Sequence, residues 1–321
     1  MSRRIPKNRT QRSLRRPARE AYSTRTVEFT SPPEADRDDR DVCVGRLYLP
    51  DGPEDPPTVV MAPGLGMWRT FGFPAYAERF AEAGYAAVLF DYRGFNDSEG
   101  EPRALIDPTR QQEDYRAAIA ALERLDVVST DELVLWGFSL SGGHVLSIAA
   151  DRFDVDAVIA VCPFTDGRAV LKRYLKRPRT AGRMLARGGR DRIGRRIGLG
   201  RSIPIVGEPD SGAVIDAPGS KREFLDLIDR ESTWRNLTPA RLFLSLPRYR
   251  PIESVEDIRA ATLCIAGTDD RLTPAADVEL VADRIDRSTL VRMPTTHYGV
   301  FGPEFEASIG HQLTFLADRF E

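Results

Sequence analysis

Short apolar runs recur along the chain, and helical patterns separate most of them. The apolar runs have the length and the Val, Ile and Leu content of buried strands. They predict eight strands, at residues 26–29, 42–49, 58–62, 86–90, 133–137, 157–161, 262–266 and 289–293. Apolar positions at helical spacing predict helices at residues 75–83, 109–124, 142–150, 275–284 and 304–320. Because strands and helices alternate after the first two strands, the pattern predicts an α/β fold with a mostly parallel eight-stranded sheet flanked by helices.

The alternation is interrupted once, by about a hundred residues between the sixth and seventh strands. This is far longer than a crossover connection needs. We therefore predict a basic disordered arm at residues 1–21, a core in two parts at 22–164 and 256–321, and an inserted, mainly helical cap at 165–255. The first part of the cap is strongly basic. A solvated helix face is the favoured interpretation, and a site for an anionic substrate is the alternative.

Composition narrows the function classes. With 321 residues, 41% of them hydrophobic, the chain can bury a large core. Its net charge of −2 gives no reason to expect a nucleic-acid partner. The three cysteines lie in apolar runs without metal-ligand spacing, which predicts buried, reduced thiols and a cytoplasmic protein. No run approaches the length of a transmembrane segment, and the basic N-terminus lacks the hydrophobic run of an export signal.

The fifth predicted strand leads into the most informative motif. The stretch ELVLWGFSLSGGH, residues 132–144, is a strand followed by Gly137, Ser139, Ser141 and two glycines that open a helix. A serine at a sharp turn from strand to helix is typical of a nucleophile elbow. The small residues around it have a steric reason, because strand and helix approach closely there. The motif predicts a serine nucleophile for acyl transfer.

The register of this motif has two solutions, because Ser141 also has small residues two positions before and after it. The apolar run ends at Trp136, so the apex of the turn falls at Ser139, while Ser141 falls in the first helical turn. We therefore favour Ser139. A Gly/Ser-rich turn without chemistry, or a phosphate-binding loop, is the alternative for the motif taken alone.

A serine nucleophile needs a base, and the chain has three histidines. His144 lies on the helix that follows the elbow and is expected to pack or make a structural hydrogen bond. His311 lies within the last helical pattern. His297 follows the final strand in a short polar loop, which is where an α/β sheet presents catalytic groups. We predict His297 as the base, with a structural loop histidine as the alternative.

The base needs an acid. Asp269 and Asp270 follow the seventh strand at its carboxyl end, and Asp166 follows the sixth. An acid after the seventh strand gives the chain order nucleophile, acid, base, which is the order of α/β-hydrolases. Either residue of the pair satisfies that order, and Asp166 is the weaker candidate.

Two backbone N–H groups are needed to hold the oxyanion. One is predicted at Leu140, directly after the nucleophile. The other is predicted at Leu65, in the glycine-rich loop MAPGLGMWRT after the third strand, with Gly66 or Met67 as neighbours that could take the role. Position alone suggests four residues for substrate contact: Trp68, Phe138, Phe164 and Tyr298.

These segments together resemble the α/β-hydrolase superfamily, from about residue 22 to 321. The resemblance rests on 62–66 (APGLG), 91–100 (DYRGFNDSEG), the elbow, and 267–274 (GTDDRLTP). It is strongest to the branch of dienelactone-hydrolase-like proteins, S15-peptidase-like esterases and polyketide transferases. In the last segment, the G-x-x-D-x-x-x-P pattern of the family implies Asp270 as the acid. The sequence departs from the family at the elbow, where Ser141 replaces the second glycine, and before the oxyanion glycine, where Pro63 replaces a common histidine.

The predicted function is cleavage of an ester, thioester or related acyl bond of a small molecule, through an acyl-enzyme on Ser139. The triad would be completed by Asp270 and His297, and no metal or organic cofactor is implied. An acyltransferase with the same triad is an alternative that the sequence leaves open, and a non-catalytic binding protein on the same fold is another. The oligomeric state also stays open, with a dimer among the states allowed.

Overall fold

The computed structural model describes residues 21–33, 40–52, 54–125, 128–169, 171, 178–194 and 199–320. Their centre is an eight-stranded sheet. Its strands are β1 (Tyr22–Thr30), β2 (Val42–Pro50), β3 (Thr58–Ala62), β4 (Ala86–Phe90), β5 (Leu133–Phe138), β6 (Ala157–Val161), β9 (Ala261–Gly267) and β10 (Ser288–Met293). Across the sheet they lie in the order β1-β2-β4-β3-β5-β6-β9-β10. The pairs β1–β2 and β2–β4 are antiparallel, and the remaining pairs are parallel.

The predicted fold class is confirmed, and each of the eight predicted strands is present. Strands β3, β4, β5 and β6 are buried along their whole length. They could be recognised in the sequence because strands covered on both faces are continuously apolar. At the edge, β1 is mostly exposed and begins four residues earlier than predicted.

Helices flank the sheet and follow the predicted positions closely. In the core they are α1 (Phe73–Glu82), α2 (Pro108–Leu122), α3 (Leu140–Asp151), α7 (Ala275–Ala282) and α8 (Phe305–Phe320). The carboxylate of Asp107 caps α2 by accepting hydrogen bonds from the first-turn amides, and Pro108 occupies the first helical position. The last helix is tied to the centre of the sheet, because the indole N–H of Trp136 in β5 donates to the Gln312 side chain at 2.7 Å.

Between β6 and β9 the chain leaves the sheet. The described part of this segment contains α4 (Pro178–Gly194), β7 (Ser202–Ile203), α5 (Ser220–Asp226), β8 (Thr238–Pro239) and α6 (Leu242–Ser245). Strands β7 and β8 form a small antiparallel sheet that the sequence pattern did not predict. Along α4 the side chains of Arg183, Arg190 and Arg192 are exposed to solvent. The predicted basic arm lies outside the described residues except for its last position, and so do residues 170, 172–177 and 195–198 of the cap.

The topology brings several loops to one edge of the sheet. Strands β3, β5, β6, β9 and β10 are parallel, so the residues that follow them lie at the same edge. The elbow, the glycine-rich loop after β3, the acidic loop after β9 and the histidine loop after β10 therefore meet there.

The three cysteines are buried and free, as predicted. Within the described ranges, the structure holds no helix with the length and hydropathy of a membrane span.

Candidate active site

The turn after β5 holds Ser139 in an uncommon backbone conformation. Its φ of 57° and ψ of −116° lie outside the regions that L-residues usually occupy. Two backbone hydrogen bonds fix the turn to the end of β6. The Ser139 N–H donates to the Val161 carbonyl at 2.9 Å, and the Phe164 N–H donates to the Ser139 carbonyl at 2.8 Å. Helix α3 begins at the next residue, so Ser139 stands at the apex between strand and helix.

The glycines of the motif are required by close backbone contacts. A Cβ on Gly137 would lie 2.2 Å from the Ser141 carbonyl oxygen, and one on Gly143 would lie 2.4 Å from the Phe164 carbonyl oxygen. Such contacts cannot be relieved by rotating a side chain. Ser141 itself sits in the first turn of α3, where its hydroxyl is bonded to Tyr92 and to the Pro63 carbonyl. Ser139, in contrast, faces a histidine.

A chain of hydrogen bonds connects the three segments at this edge. The hydroxyl of Ser139 lies 2.9 Å from Nε2 of His297. On the other side of the ring, Nδ1 lies 2.6 Å from Oδ2 of Asp270. His297 is 3% exposed and Asp270 is 6% exposed. Because a carboxylate only accepts hydrogen bonds, Nδ1 carries the proton, and Nε2 is left as an acceptor for the serine hydroxyl.

The Asp270 carboxylate is held by several donors. Its Oδ1 accepts the N–H groups of Leu272 at 2.7 Å and Thr273 at 2.9 Å, and the Thr273 hydroxyl lies 2.7 Å from Oδ2. Burial by itself would raise the pKa of Asp270. The His297 ring and the Thr273 donors outweigh burial and hold the pKa below its ordinary value. Asp270 is therefore a stable anion that accepts the hydrogen bond from Nδ1 of His297 and orients the ring.

The other acidic candidates are placed elsewhere. Asp166 forms an ion pair with Arg250, with an Oδ1–Nε distance of 2.8 Å. The side chain of Asp269 is exposed, and its N–H donates to the Thr295 carbonyl at 3.1 Å. Of the three candidates, the structure brings Asp270 to the histidine.

The other histidines have different surroundings. His144 is fully buried, with Nδ1 2.7 Å from the Tyr249 hydroxyl and Nε2 3.3 Å from the side-chain Oε1 of Gln111. Burial lowers its pKa to about 3, so the ring is neutral. His311 is exposed on α8. Neither environment matches that of His297.

The glycine-rich loop after β3 runs directly beside the elbow. A Cβ on Gly64 would lie 3.2 Å from the Cβ of Ser139, which shows how close the two backbones are. The N–H of Leu140 belongs to the first residue of α3, where amides have no carbonyl partner within the helix. The predicted pair of oxyanion donors, Leu65 and Leu140, therefore lies on the two segments that flank the serine.

The four predicted substrate-contact residues have distinct settings. Phe138 is fully buried beneath the histidine, with ring centroids 4.8 Å apart. Tyr298 is 4% exposed and packs edge-on against the same ring at 4.9 Å. Phe164 stacks on Tyr249 at 5.8 Å. Trp68 is half-buried and stacks on Phe71 at 5.9 Å. Two of the four therefore contact the histidine, and the other two pack against neighbouring aromatic rings.

The cap contributes aromatic residues to this edge that the sequence pattern did not identify. Phe224 of α5 is fully buried and packs against Trp234 at 5.3 Å and against Tyr298 at 5.7 Å. Phe71, from the loop after β3, packs edge-on against both cap residues, with ring centroids 6.2 Å apart in each pair. The cap, the glycine-rich loop after β3 and the histidine loop thus share one aromatic cluster.

A polar pocket of about 510 Å³ is lined in part by His297 and Asp270. The cap lines it with Pro218, Ser220 and Glu223, and the core with Arg271, Thr296 and His297. The Glu223 carboxylate accepts a hydrogen bond from the Thr296 hydroxyl at 2.9 Å. The pocket is large enough for water or a small polar molecule to reach the histidine.

Among the described residues, Cys162, Asp270 and His297 form a group whose ligand atoms lie within 4.8 Å of one another. Burial, together with the charge of Asp270, raises the pKa of the Cys162 thiol, so it is not the thiolate that metals bind. The 2.6 Å contact between Asp270 and His297 is a hydrogen bond, and a bridging ion would hold these atoms further apart. Asp270 and His297 therefore fit a hydrogen-bonded proton-transfer pair better than a metal site.

The comparison with known proteins agrees with this architecture. The profile of the Alpha/beta hydrolase family matches residues 59–307 of the chain. The chain belongs to this family. Among α/β-hydrolases with known structure, GrgF from Penicillium sp. sh18 superposes with a TM-score of 0.78 at 24% identity, covering 92% of this chain and 99% of GrgF.

Curated relatives of this α/β-hydrolase carry several functional names. The quorum-quenching protein AidA of Acinetobacter baumannii is 35% identical over 290 residues, which cover 89% of this chain and 94% of AidA. The thiohydrolase aneE of Aspergillus aculeatus is 37% identical over 122 residues, which are 38% of each protein. The resemblance to the second relative is therefore local.

Proposed function

We propose that this α/β-hydrolase is a serine hydrolase that cleaves a carboxylic ester, thioester or related acyl bond through an acyl-enzyme on Ser139. The observation that carries the proposal is the continuous hydrogen-bond chain from Asp270 through His297 to Ser139. A serine hydroxyl is a weak nucleophile until a base accepts its proton, and this arrangement supplies the base and its partner.

In the proposed mechanism, Ser139 Oγ attacks the substrate carbonyl while Nε2 of His297 accepts the hydroxyl proton. The resulting imidazolium is stabilised by Asp270, which remains ionised. The N–H groups of Leu140 and Leu65 hold the oxyanion of the tetrahedral intermediate. The histidine then donates its proton to the leaving alcohol or thiol. In the second half, it activates water to release the acid and restore Ser139.

The cap, residues 165–255, is proposed to form the roof of the substrate site. Its support is the aromatic cluster that joins Phe224 and Trp234 to the loops on either side of Ser139. An apolar roof favours substrates with an apolar acyl group. The name of the relative aneE, a thiohydrolase, supports the inclusion of thioesters among the substrates to be tested.

An acyltransferase is the second candidate, because the polar pocket beside His297 could admit an acceptor other than water. In that case the same acyl-enzyme would form, and an alcohol, amine or thiol would take the acyl group. A purified protein that forms the acyl-enzyme but releases product only when an acceptor is added would favour transfer over hydrolysis.

The proposal is tested by labelling the purified protein with a fluorophosphonate and mapping the modified peptide. We expect the label on Ser139, its loss in His297→Ala, and hydrolysis of p-nitrophenyl esters by the wild type but not by Ser139→Ala. We expect kcat/KM to fall by roughly 10³-fold or more in both variants. Thermal melting of the variants controls for folding. A label on another residue, or turnover that survives Ser139→Ala, would contradict the proposal.

A further inference from the structure

The loop that carries Leu65 is held by its carbonyl groups from two sides. On the side of the core, the hydroxyl of Ser141 donates to the carbonyl of Pro63. On the side of the cap, the indole N–H of Trp234 donates to the carbonyl of Gly66 at 2.9 Å. These two carbonyls flank the peptide that presents the Leu65 N–H.

The bond on the core side belongs to a buried relay. The Tyr92 hydroxyl lies 2.5 Å from Ser141 Oγ, and both residues are almost fully buried. Because the carbonyl of Pro63 can only accept, Ser141 donates to it and Tyr92 donates to Ser141. Burial raises the pKa of the Tyr92 phenol, so it keeps the proton that it donates. The relay therefore has one direction, from Tyr92 through Ser141 to the loop.

The contact on the cap side is also close-fitting. Gly66 has a φ of 71°, a conformation that favours glycine. A Cβ on this residue would lie 2.8 Å from Ile205, a fully buried cap residue. The loop thus packs closely against Ile205 and accepts a hydrogen bond from Trp234. Because both residues belong to the cap, the position of the loop depends on the position of the cap.

We propose that Ser141 and Trp234 are positioning residues that aim the Leu65 N–H at the oxyanion. This inference rests on the proposed function, since it assigns a role in that same site. It also accounts for a departure from the family motif: the residue that replaces the second glycine of the elbow provides a hydrogen bond that glycine could not make. An oxyanion donor must be held to within about 0.5 Å to be effective, which a free glycine-rich loop would not ensure.

The test compares Ser141→Gly, Ser141→Ala and Trp234→Phe with the wild type on p-nitrophenyl esters. Ser141→Gly restores the family motif but removes the bond to the loop. These substitutions displace the Leu65 N–H but do not delete it. We therefore expect kcat to fall by roughly 10- to 100-fold in both Ser141 variants and by somewhat less in Trp234→Phe. KM should stay within about twofold of the wild-type value. The inhibition constant of a phenylboronic acid, whose tetrahedral adduct carries an oxyanion, should rise by a similar factor.

Thr58→Val is the matched control. The Thr58 hydroxyl also donates to a backbone carbonyl, that of Ser129, at 2.6 Å in a partly buried setting, but it lies at the opposite end of β3. We expect this variant to lose some stability and to keep its kcat. The positioning proposal would be overturned if Ser141→Gly and Ser141→Ala fold well and keep the kcat and the boronate affinity of the wild type. In that case, fluorophosphonate labelling of Ser139 would still support the proposed function. Absence of both labelling and turnover in the wild type would overturn both.

Discussion

At the scale of single residues, the chemistry depends on groups that only the folded chain brings together. Three motifs at strand ends predict an order of nucleophile, acid and base, and the structure joins their side chains in one hydrogen-bond chain. The role of Thr273 could not be predicted, because its hydroxyl meets both the Asp270 carboxylate and, at 3.3 Å, Nδ1 of His297 only after the loop has folded. The bond between Trp234 and Gly66 joins residues 168 positions apart, and no local pattern reports such a contact.

His144 provides a prediction at the same scale. Its neutral form is satisfied by Tyr249 and Gln111, and burial depresses its pKa from 6.5 to about 3. The folded state therefore binds fewer protons than the unfolded state between these values. The stability from this group is fully present above pH 6.5 and is lost as the pH falls toward 3.

We expect the free energy of unfolding of the wild type to fall, between pH 7.5 and pH 5.0, by about 2 kcal/mol more than that of His144→Gln. Glutamine does not titrate, and the other ionisable groups are common to both proteins. Urea denaturation at the two pH values measures the difference. Parallel pH dependence in the two proteins would show that the ring is not held neutral.

At the scale of elements, the accuracy of prediction follows the burial of each strand and helix. Strands covered on both faces have an unbroken apolar pattern, so β3, β4, β5 and β6 could be located almost to the residue. The two-residue strands β7 and β8 have no period to detect. The sequence pattern therefore predicted a mainly helical cap and missed its small sheet.

The junction of β5 and α3 gives a prediction at this scale. Gly137→Ala places a Cβ against backbone atoms of Ser141 and Gly142, which cannot move without distorting the helix. We expect a loss of about 3 kcal/mol or more in the free energy of unfolding, together with loss of the proposed esterase activity.

Gly310→Ala is the matched control within α8, because a Cβ there meets no atom within 4 Å. Alanine should stabilise the helix by about 0.5–1 kcal/mol. Urea denaturation of both variants and of the wild type measures the two changes in the free energy of unfolding. Similar effects of the two substitutions would contradict the steric account of the elbow.

At the scale of the whole molecule, the cap and the sheet are joined over the site by the aromatic cluster. The sequence predicts a cap at residues 165–255, but it does not indicate which of these residues pack against the loops around Ser139. Such contacts depend on how one layer packs against the other, and aromatic residues at irregular spacing do not reveal it.

Phe224→Ala tests the mechanical role of the cluster. Removing this fully buried ring should weaken the attachment of the cap by about 3–5 kcal/mol. We expect faster hydrogen exchange in residues 63–72, 202–206 and 234–239, with no change in β5 and β6. Phe153→Ala, at a residue that is 68% exposed, is the control and should leave exchange unchanged. Uniformly faster exchange across the sheet would show that the cap does not open separately.

The proposed serine and its base are 158 positions apart in the chain, with the acid between them. At a synthesis rate of roughly 5–20 residues per second, the ribosome needs about 8–32 s to proceed from the codon of Ser139 to that of His297. Throughout that interval, the growing polypeptide has a serine with no base to activate it. The proposed enzyme is therefore expected to be inert toward acyl compounds until His297 has been synthesised and β10 has joined the edge of the sheet.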